Sequence, residues 1–415
     1  MITGQPDANS DGAATSAAPP GGEPATRPTA GQPLLRLCLA VPVALAGGLL
    51  LAAAFPPVGA WPLAVLSPAL LVVALHGRSL RAAFTVGLAF GLAFFVPLLA
   101  WVINLAWFAW VALAIASALI FAVFAIAQRL LLNLRWWPLA VAGWWVAAEA
   151  FRDRWPWGGF PWGRLAMSQA GLPTQGWAAI GGPPVLSFVV AITGTTLAWV
   201  LLTALTAKHD PARWRRTAGA AVAFAVTAGV SCLPAALTLD PVPPGAKTAE
   251  VAAIQGNVPR ARSLEAQLGE LQVTSNHAAA TEKLAAKVAA GTLPRPDLVI
   301  WPENSTDIDP TQYPPVYQEI ASAASAIGRP ILVGAVLENP RRNAGVLWLP
   351  GKGPTARYVK RRLVPFGEYI PFRSLISKIT SLTSLQPVDF TPGHETVVFN
   401  VGQIRLGDVI CYEVA

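Results

Sequence analysis

Three side chains in the second half of this sequence can together carry acyl transfer, and each follows an apolar, strand-like run. Glu303 stands in Trp301-Pro302-Glu303-Asn304-Ser305, after Leu298–Trp301. Lys360 follows Ala356–Val359, and Cys411 follows the run from Ile404 to Ile410, interrupted by Arg405 and Asp408. That last run reads as a buried strand delivering a thiol at its C-terminal end. A free thiol has a pKa of about 8.5, so a base or a cation must raise its thiolate fraction. Glu303 can take the thiol proton and later return it to a leaving group, provided that burial lifts its pKa toward neutrality. Trp301 and Pro302 supply a dry setting for it. Lys360 offers a fixed positive charge to the thiolate and to a developing oxyanion. Taken singly, each residue has a plainer reading. A Glu or a Lys after a strand is most often a solvated loop residue, and a Cys after an apolar strand is usually core.

No other constellation competes. The four histidines are scattered, which argues against a metal centre and against a Cys-His or Ser-His-Asp arrangement. Cys38 and Cys232 lie in apolar runs, as small packed or lipid-facing residues do, and no disulfide framework is expected. No Gly-rich phosphate loop and no cofactor motif is present.

From Glu250 onward strands alternate with helices, and these are the elements that must position the three groups. Strands are expected at Val251–Gln255, Leu298–Trp301 and Ile331–Val336, with helices at Ser263–Ala290 and Tyr317–Ile327. Val346–Leu349 and Ala356–Val359 read as a strand pair around Pro350-Gly351-Lys352-Gly353. This pattern specifies an α/β layered domain.

The first half of the chain is of a different kind. Of 415 residues, 54% are hydrophobic and 13% charged, against about 25% charged in a soluble globular protein. Residues 1–33 are rich in Gly, Pro, Ala, Ser and Thr and are expected to be disordered. Seven apolar segments follow, at about Leu37–Ala54, Trp61–Leu75, Ala82–Val102, Leu105–Ala127, Trp136–Ala150, Pro184–Leu205 and Thr217–Leu237. Most approach the roughly 20 residues that span a bilayer. The net charge of +8 is +7 over the first 248 residues and +1 over the rest. That excess lies in linkers at Arg78 and Arg81, at Arg129 and Arg135, and from Lys208 to Arg216. It signals membrane topology rather than nucleic-acid binding. Basic linkers face the cytoplasm, so the N-terminus is expected inside and everything after Leu237 outside. The linker from Phe151 to Gln169 interleaves Trp155, Trp157 and Trp162 with Pro and Gly. It fits either an aromatic belt at the interface or a rigid loop shaping an access route for lipid.

A resemblance joins these pieces. Ile254-Gln255-Gly256-Asn257-Val258-Pro259, the 301–305 motif, Lys360, then Leu363-Val364-Pro365-Phe366-Gly367-Glu368-Tyr369-Ile370-Pro371 and Cys411-Tyr412-Glu413 occur in this order. With Phe160-Pro161-Trp162 and the spans, they resemble apolipoprotein N-acyltransferase, the membrane-embedded branch of the nitrilase superfamily. The resemblance covers nearly everything after residue 33, and its most specific part is the string from Leu363 to Pro371. It implies Glu303 as general base, Lys360 as oxyanion stabiliser and Cys411 as nucleophile. Glu368, Tyr412 and Glu413 would be supporting or substrate-binding residues. It implies acyl transfer from a membrane phospholipid, through a Cys thioester, to the N-terminal amine of the diacylglyceryl-modified cysteine of an apolipoprotein. The enzyme would be a monomer in the bacterial plasma membrane, with no cofactor, no metal and no nucleic-acid partner.

The expected fold is a polytopic α-helical membrane domain over 34–240, followed by an α/β nitrilase-like layered sandwich over 249–415. The family's domain continues well past its nucleophile, so a sandwich ending at Ala415 is expected to be incomplete and inactive. Where many members carry a Trp after the first strand, this chain has Ser263-Leu264-Glu265. One rival is a membrane-tethered amidase that hydrolyses small amides with the same three groups. Another is a transporter, which the near absence of ionisable residues from the spans, Glu149 excepted, disfavours.

Overall fold

Runs that are apolar on every side, rather than along one stripe, make helices that pack among other helices or in lipid. In the computed structural model, which describes residues 33–104, 106–206, 213–236, 245–257, 265–306 and 308–414, the apolar runs form seven α-helices. They are α1 (Leu37–Ala53), α2 (Leu63–Leu75), α3 (Leu80–Leu98), α4 (Trp107–Leu131), α5 (Trp137–Arg152), α6 (Trp177–Thr206) and α7 (Arg213–Ala236). Among the described residues, four stretches are long and apolar enough to cross a membrane: Leu80–Leu98, Trp107–Leu131, Pro173–Thr206 and Trp214–Pro234. α1 and α2 are apolar but shorter. α6 is interrupted at Gly181 and Gly182, whose backbone is non-helical, and it resumes at Pro183 and Pro184. Proline has no N–H to give and suits the start of a helix. The run expected from Pro184 is therefore the second part of a longer, broken element.

Close helix contact here depends on missing side chains. Gly87 and Gly91, one turn apart on α3, face Ala122 and Ala118 of α4, and a Cβ on Gly91 would lie 2.9 Å from the Ala118 Cα. With no hydrophobic drive between helices in lipid, such small-residue contacts let backbones pack.

The second half is built on a five-stranded sheet in the order β1 (Val251–Ala253), β2 (Leu298–Ile300), β3 (Ile331–Leu337), β4 (Arg342–Leu349) and β5 (Gly353–Val359). β1, β2 and β3 are parallel, while β4 and β5 run antiparallel to their neighbours. The helices α8 (Glu265–Ala289) and α9 (Pro314–Ile327) pack on each other. They cover one face, where Ala278, Ile320 and Ala324 meet Val299, Val333 and Trp348. On the other face Leu298, Leu332, Leu347 and Tyr358 meet Phe399, Val401 and Ile410. Those last residues belong to, or follow, a hairpin of β6 (Val398–Val401) and β7 (Ile404–Gly407). The short helix α10 (Arg373–Ile379) lies between the sheet and the hairpin in sequence. The expected architecture, a helical membrane domain followed by an α/β domain, is the one observed.

One expected element is different. The strand read from Ile404 to Ile410 ends at Gly407, and it pairs with β6 in a separate two-stranded sheet. Its burial alternates, with Ile404 and Leu406 half-buried and Arg405 and Gly407 exposed. This is a ladder with one wet face, for which polar residues at every second position are normal. The segments expected at residues 1–33, 237–244 and 258–264 lie wholly or partly outside the described residues.

Candidate active site

Glu303 is placed by a tight crossing of the chain over β3. Gly334 of β3 lies directly beneath Pro302, and a Cβ there would come within 2.1 Å of the Pro302 carbonyl oxygen. Asn304 takes up a positive φ of 55°, which Asn tolerates better than most residues. The fully buried Ser305 then donates from its Oγ to the Gly334 carbonyl at 2.9 Å. On the other side Trp301 is 2% exposed, and its Nε1 donates to Thr281 Oγ1 at 3.0 Å. The motif is thus a rigid ledge that points one carboxylate forward.

Lys360 leaves β5 with its backbone N–H on the Asn343 carbonyl at 2.8 Å. Its side chain is fully buried. Nζ donates to Glu303 Oε1 at 2.9 Å and to Glu368 Oε1 at 3.0 Å. Burial opposes the ammonium, but its hydrogen bonds to the Glu303 and Glu368 carboxylates and their charges outweigh it and hold the lysine pKa above its ordinary value. Lys360 is therefore a permanent cation with three N–H bonds, two of them committed.

A fourth residue joins the network. Asn343, near the start of β4, donates from Nδ2 to Glu303 Oε1 at 2.5 Å and to Glu368 Oε1 at 2.9 Å. The second Glu368 oxygen accepts from the Val364 N–H at 2.7 Å. Glu303 and Glu368 are not equivalent, since the Glu303 side chain is 27% exposed and that of Glu368 is 11%. Only Glu303 has an open side on which to meet a thiol or a substrate. Asn343 escaped the sequence reading because β4 was expected to begin at Val346. The available signal was an amide directly preceding an apolar run.

Cys411 does not sit at the end of a strand, as was expected. It opens a 3-10 turn, Cys411–Val414, with φ of 50°. A non-glycine residue held at positive φ is strained and needs support from its surroundings. Glu413 supplies that support. Its Oε1 accepts from Tyr358 Oη at 2.7 Å and from the Arg361 and Arg362 N–H groups at 2.7 and 3.2 Å, and its Oε2 accepts from the Ile410 N–H at 2.9 Å. Burial works against this carboxylate, yet the bonds from Ile410, Tyr358, Arg361 and Arg362 hold its pKa below the ordinary range. Glu413 thus ties the thiol turn to the segment that carries Lys360. Burial pushes the Cys411 thiol up and the Glu303 charge adds to this, while Lys360 pulls it down; the net shift is upward. A thiol raised in this way needs a base before it can act as a nucleophile.

Tyr412 reaches toward the helical half, donating from its hydroxyl to the Gly159 carbonyl. The loop it meets is fastened to α5. Arg152, 5% exposed, donates from Nη1 to the Phe160 and Trp162 carbonyls at 2.8 and 2.5 Å. Glu149 accepts from Trp145 Nε1 at 3.0 Å and from the Leu165 N–H at 2.8 Å. Trp157 meets Phe366 and Phe372 edge-on, with ring centroids 5.6 and 6.3 Å apart. Between this loop and the segment after Lys360 lies a cavity of about 760 Å³, with Tyr412 in its wall.

Comparison with known proteins bears on the family of the chain. The sequence profile of the apolipoprotein N-acyltransferase N-terminal domain matches residues 47–196. The chain is 38% identical over 409 residues to the apolipoprotein N-acyltransferase of Mycolicibacterium smegmatis, covering 92% of this chain and 67% of that protein. It is 30% identical to the proteins of that name from Azotobacter vinelandii and Pseudomonas putida, covering 90% of this chain and 72% and 74% of theirs.

Proposed function

Because this chain belongs to the apolipoprotein N-acyltransferase family, we propose that it acylates the N-terminal amine of lipid-modified cysteines on apolipoproteins, with Cys411 as acyl carrier and a membrane phospholipid as donor. The observation that carries the reading is the shared carboxylate–ammonium–amide network of Glu303, Lys360, Glu368 and Asn343, facing a raised, protonated thiol.

In the first half-reaction Glu303 takes the Cys411 proton as sulfur attacks the ester carbonyl. The third N–H of Lys360 stabilises the oxyanion that forms. Collapse breaks the C–O bond, and the leaving alkoxide takes the proton from Glu303 and departs as a lysophospholipid. In the second half-reaction the acceptor amine attacks the thioester carbonyl. Glu303 takes a proton from the attacking nitrogen and passes it to the departing thiolate, which restores the resting enzyme. Glu368 and Asn343 fix Lys360 and Glu303 rather than react. One chain supplies every group, so the protein is read as acting alone. The names of the relatives give no support to the amidase alternative.

The test is the intermediate. The protein at the full length of its relatives, purified in detergent and incubated with radiolabelled phospholipid, should acquire label that hydroxylamine removes. The Cys411→Ser variant should acquire none. A normal yield of hydroxylamine-labile label in that variant would place the acyl carrier elsewhere.

A further inference from the structure

The cavity beside Tyr412 carries a charge that the proposed chemistry does not use. Four arginines line it, Arg154, Arg164, Arg361 and Arg362, against two carboxylates, Asp153 and Asp389. Both carboxylates are already paired. Arg164 Nε lies 2.6 Å from Asp153 Oδ2, and Asp389 is held by Arg373. Arg154 donates once, to the Ala150 carbonyl at 2.9 Å. The guanidinium groups of Arg361 and Arg362 have no hydrogen bond or ion pair with any described residue, although Glu413 anchors both backbones. A concave site of about 760 Å³ therefore presents three guanidinium groups that make no ion pair among the described residues, where the Phe151–Gln169 loop meets the second half of the chain. Its wall includes the residue next to Cys411.

We infer that this cavity binds the phosphodiester of the acyl donor through Arg154, Arg361 and Arg362, and so holds the glycerol ester at Cys411. The inference rests on the donor being a phospholipid. Guanidinium forks match two oxygens of one phosphate at once and are weakly hydrated, which suits them to this ligand better than lysine. A phosphodiester carries one negative charge whatever its headgroup, so the site selects lipids with phosphate over neutral glycerolipids. Trp157 adds an apolar wall between the charge and the aromatic pair Phe366 and Phe372.

The test is binding, not catalysis. In the Cys411→Ser background no acyl transfer enters the readout, and the outcome does not depend on whether Cys411 is the acyl carrier. Calorimetric titration with dihexanoylphosphatidylglycerol should show at least tenfold tighter binding than with dihexanoylglycerol. That preference should weaken with salt. Arg361→Gln with Arg362→Gln should cost the phospholipid roughly tenfold or more in affinity and leave the glycerolipid unchanged. The Lys pair, which keeps charge and loses the fork, should fall between. Arg154→Gln, at an exposed position, should reduce the same preference if the Gln pair does not fold. Equal binding of the two lipids overturns the inference, as does undiminished phospholipid binding in folded variants. Inorganic phosphate should displace the lipid only weakly. Displacement at matching concentrations would make the cavity a site for a free anion and overturn the assignment to lipid.

Discussion

At Cys411 two opposite charges act on one thiol, and their effects can be separated. Burial and the Glu303 carboxylate raise the thiol pKa, and Lys360 lowers it. Alkylation of Cys411 by iodoacetamide should therefore rise with pH around a midpoint above the ordinary thiol range of about 8.5. Glu303→Gln removes a raising charge and leaves the lowering one, so the midpoint should move down. In the same variant thioester formation should fall roughly 10²–10⁴-fold, because the base is lost. A more reactive thiol in a less active enzyme is the expected signature. A midpoint that stays put or rises would show that Glu303 does not face the thiol. Glu303, Lys360 and Cys411 can be named as candidates from sequence because each follows an apolar run beside a distinctive motif. Asn343 cannot be, because its role depends on pairing across strands. It lies opposite Lys360 only through the β4–β5 register, in which Ala344 pairs with Val359.

The turn that carries the thiol is an element-scale device. The hairpin of β6 and β7 ends at Gly407, and the chain then passes over the sheet with the Asp408 side chain directly above Gly345 of β4. A Cβ at Gly345 would meet the Asp408 carboxylate, which would have to swing aside. Burial and the nearby charge of Glu413 raise Asp408 to about 6, against about 3.9 in an unfolded chain. A carboxyl whose folded value is raised opposes folding when charged. That cost is fully present above about pH 6 and absent below about pH 4. Asp408→Asn should therefore raise the melting temperature at pH 7.5 and leave it unchanged at pH 4. A loss of stability at pH 7.5 would mean that the charge has a partner that stabilises it. The sheet strands and α9 were readable from apolar runs and turn residues. The hairpin differs from the expected strand because Ile404, Leu406 and Ile410 do not lie on one doubly buried strand. The exposed alternate positions, Arg405 and Gly407, carried the opposite information.

At the scale of the whole molecule, a loop fixed to α5 and a turn carrying the thiol are joined through Tyr412 and Gly159. All three tryptophans of that loop are exposed, Trp155 and Trp162 beside Phe151 and Trp101, and Trp157 against Phe366 and Phe372 of the second half. Composition alone could not separate their contacts, since all three are the same residue type. Arg78 and Arg129, from two of the basic linkers, meet at one end of the bundle, with Arg129 Nε donating to the Arg78 carbonyl at 2.8 Å. A shared end for those linkers is what a common cytoplasmic side requires, and on that placement we propose an inside N-terminus and an extracytoplasmic second half. A reporter active only outside the cytoplasm should be active when fused after Pro244 and silent at Arg213; the reverse pattern would invert the orientation. The most direct test of the acyl-transfer account is a chase. Acyl-enzyme formed from labelled phospholipid is freed of donor and mixed with a peptide bearing an N-terminal diacylglyceryl cysteine. Label should leave Cys411 and appear as an amide on the peptide amine, at a rate that depends on the peptide. Release as free fatty acid, at the same rate with or without the peptide, would show that water is the acceptor and contradict the account.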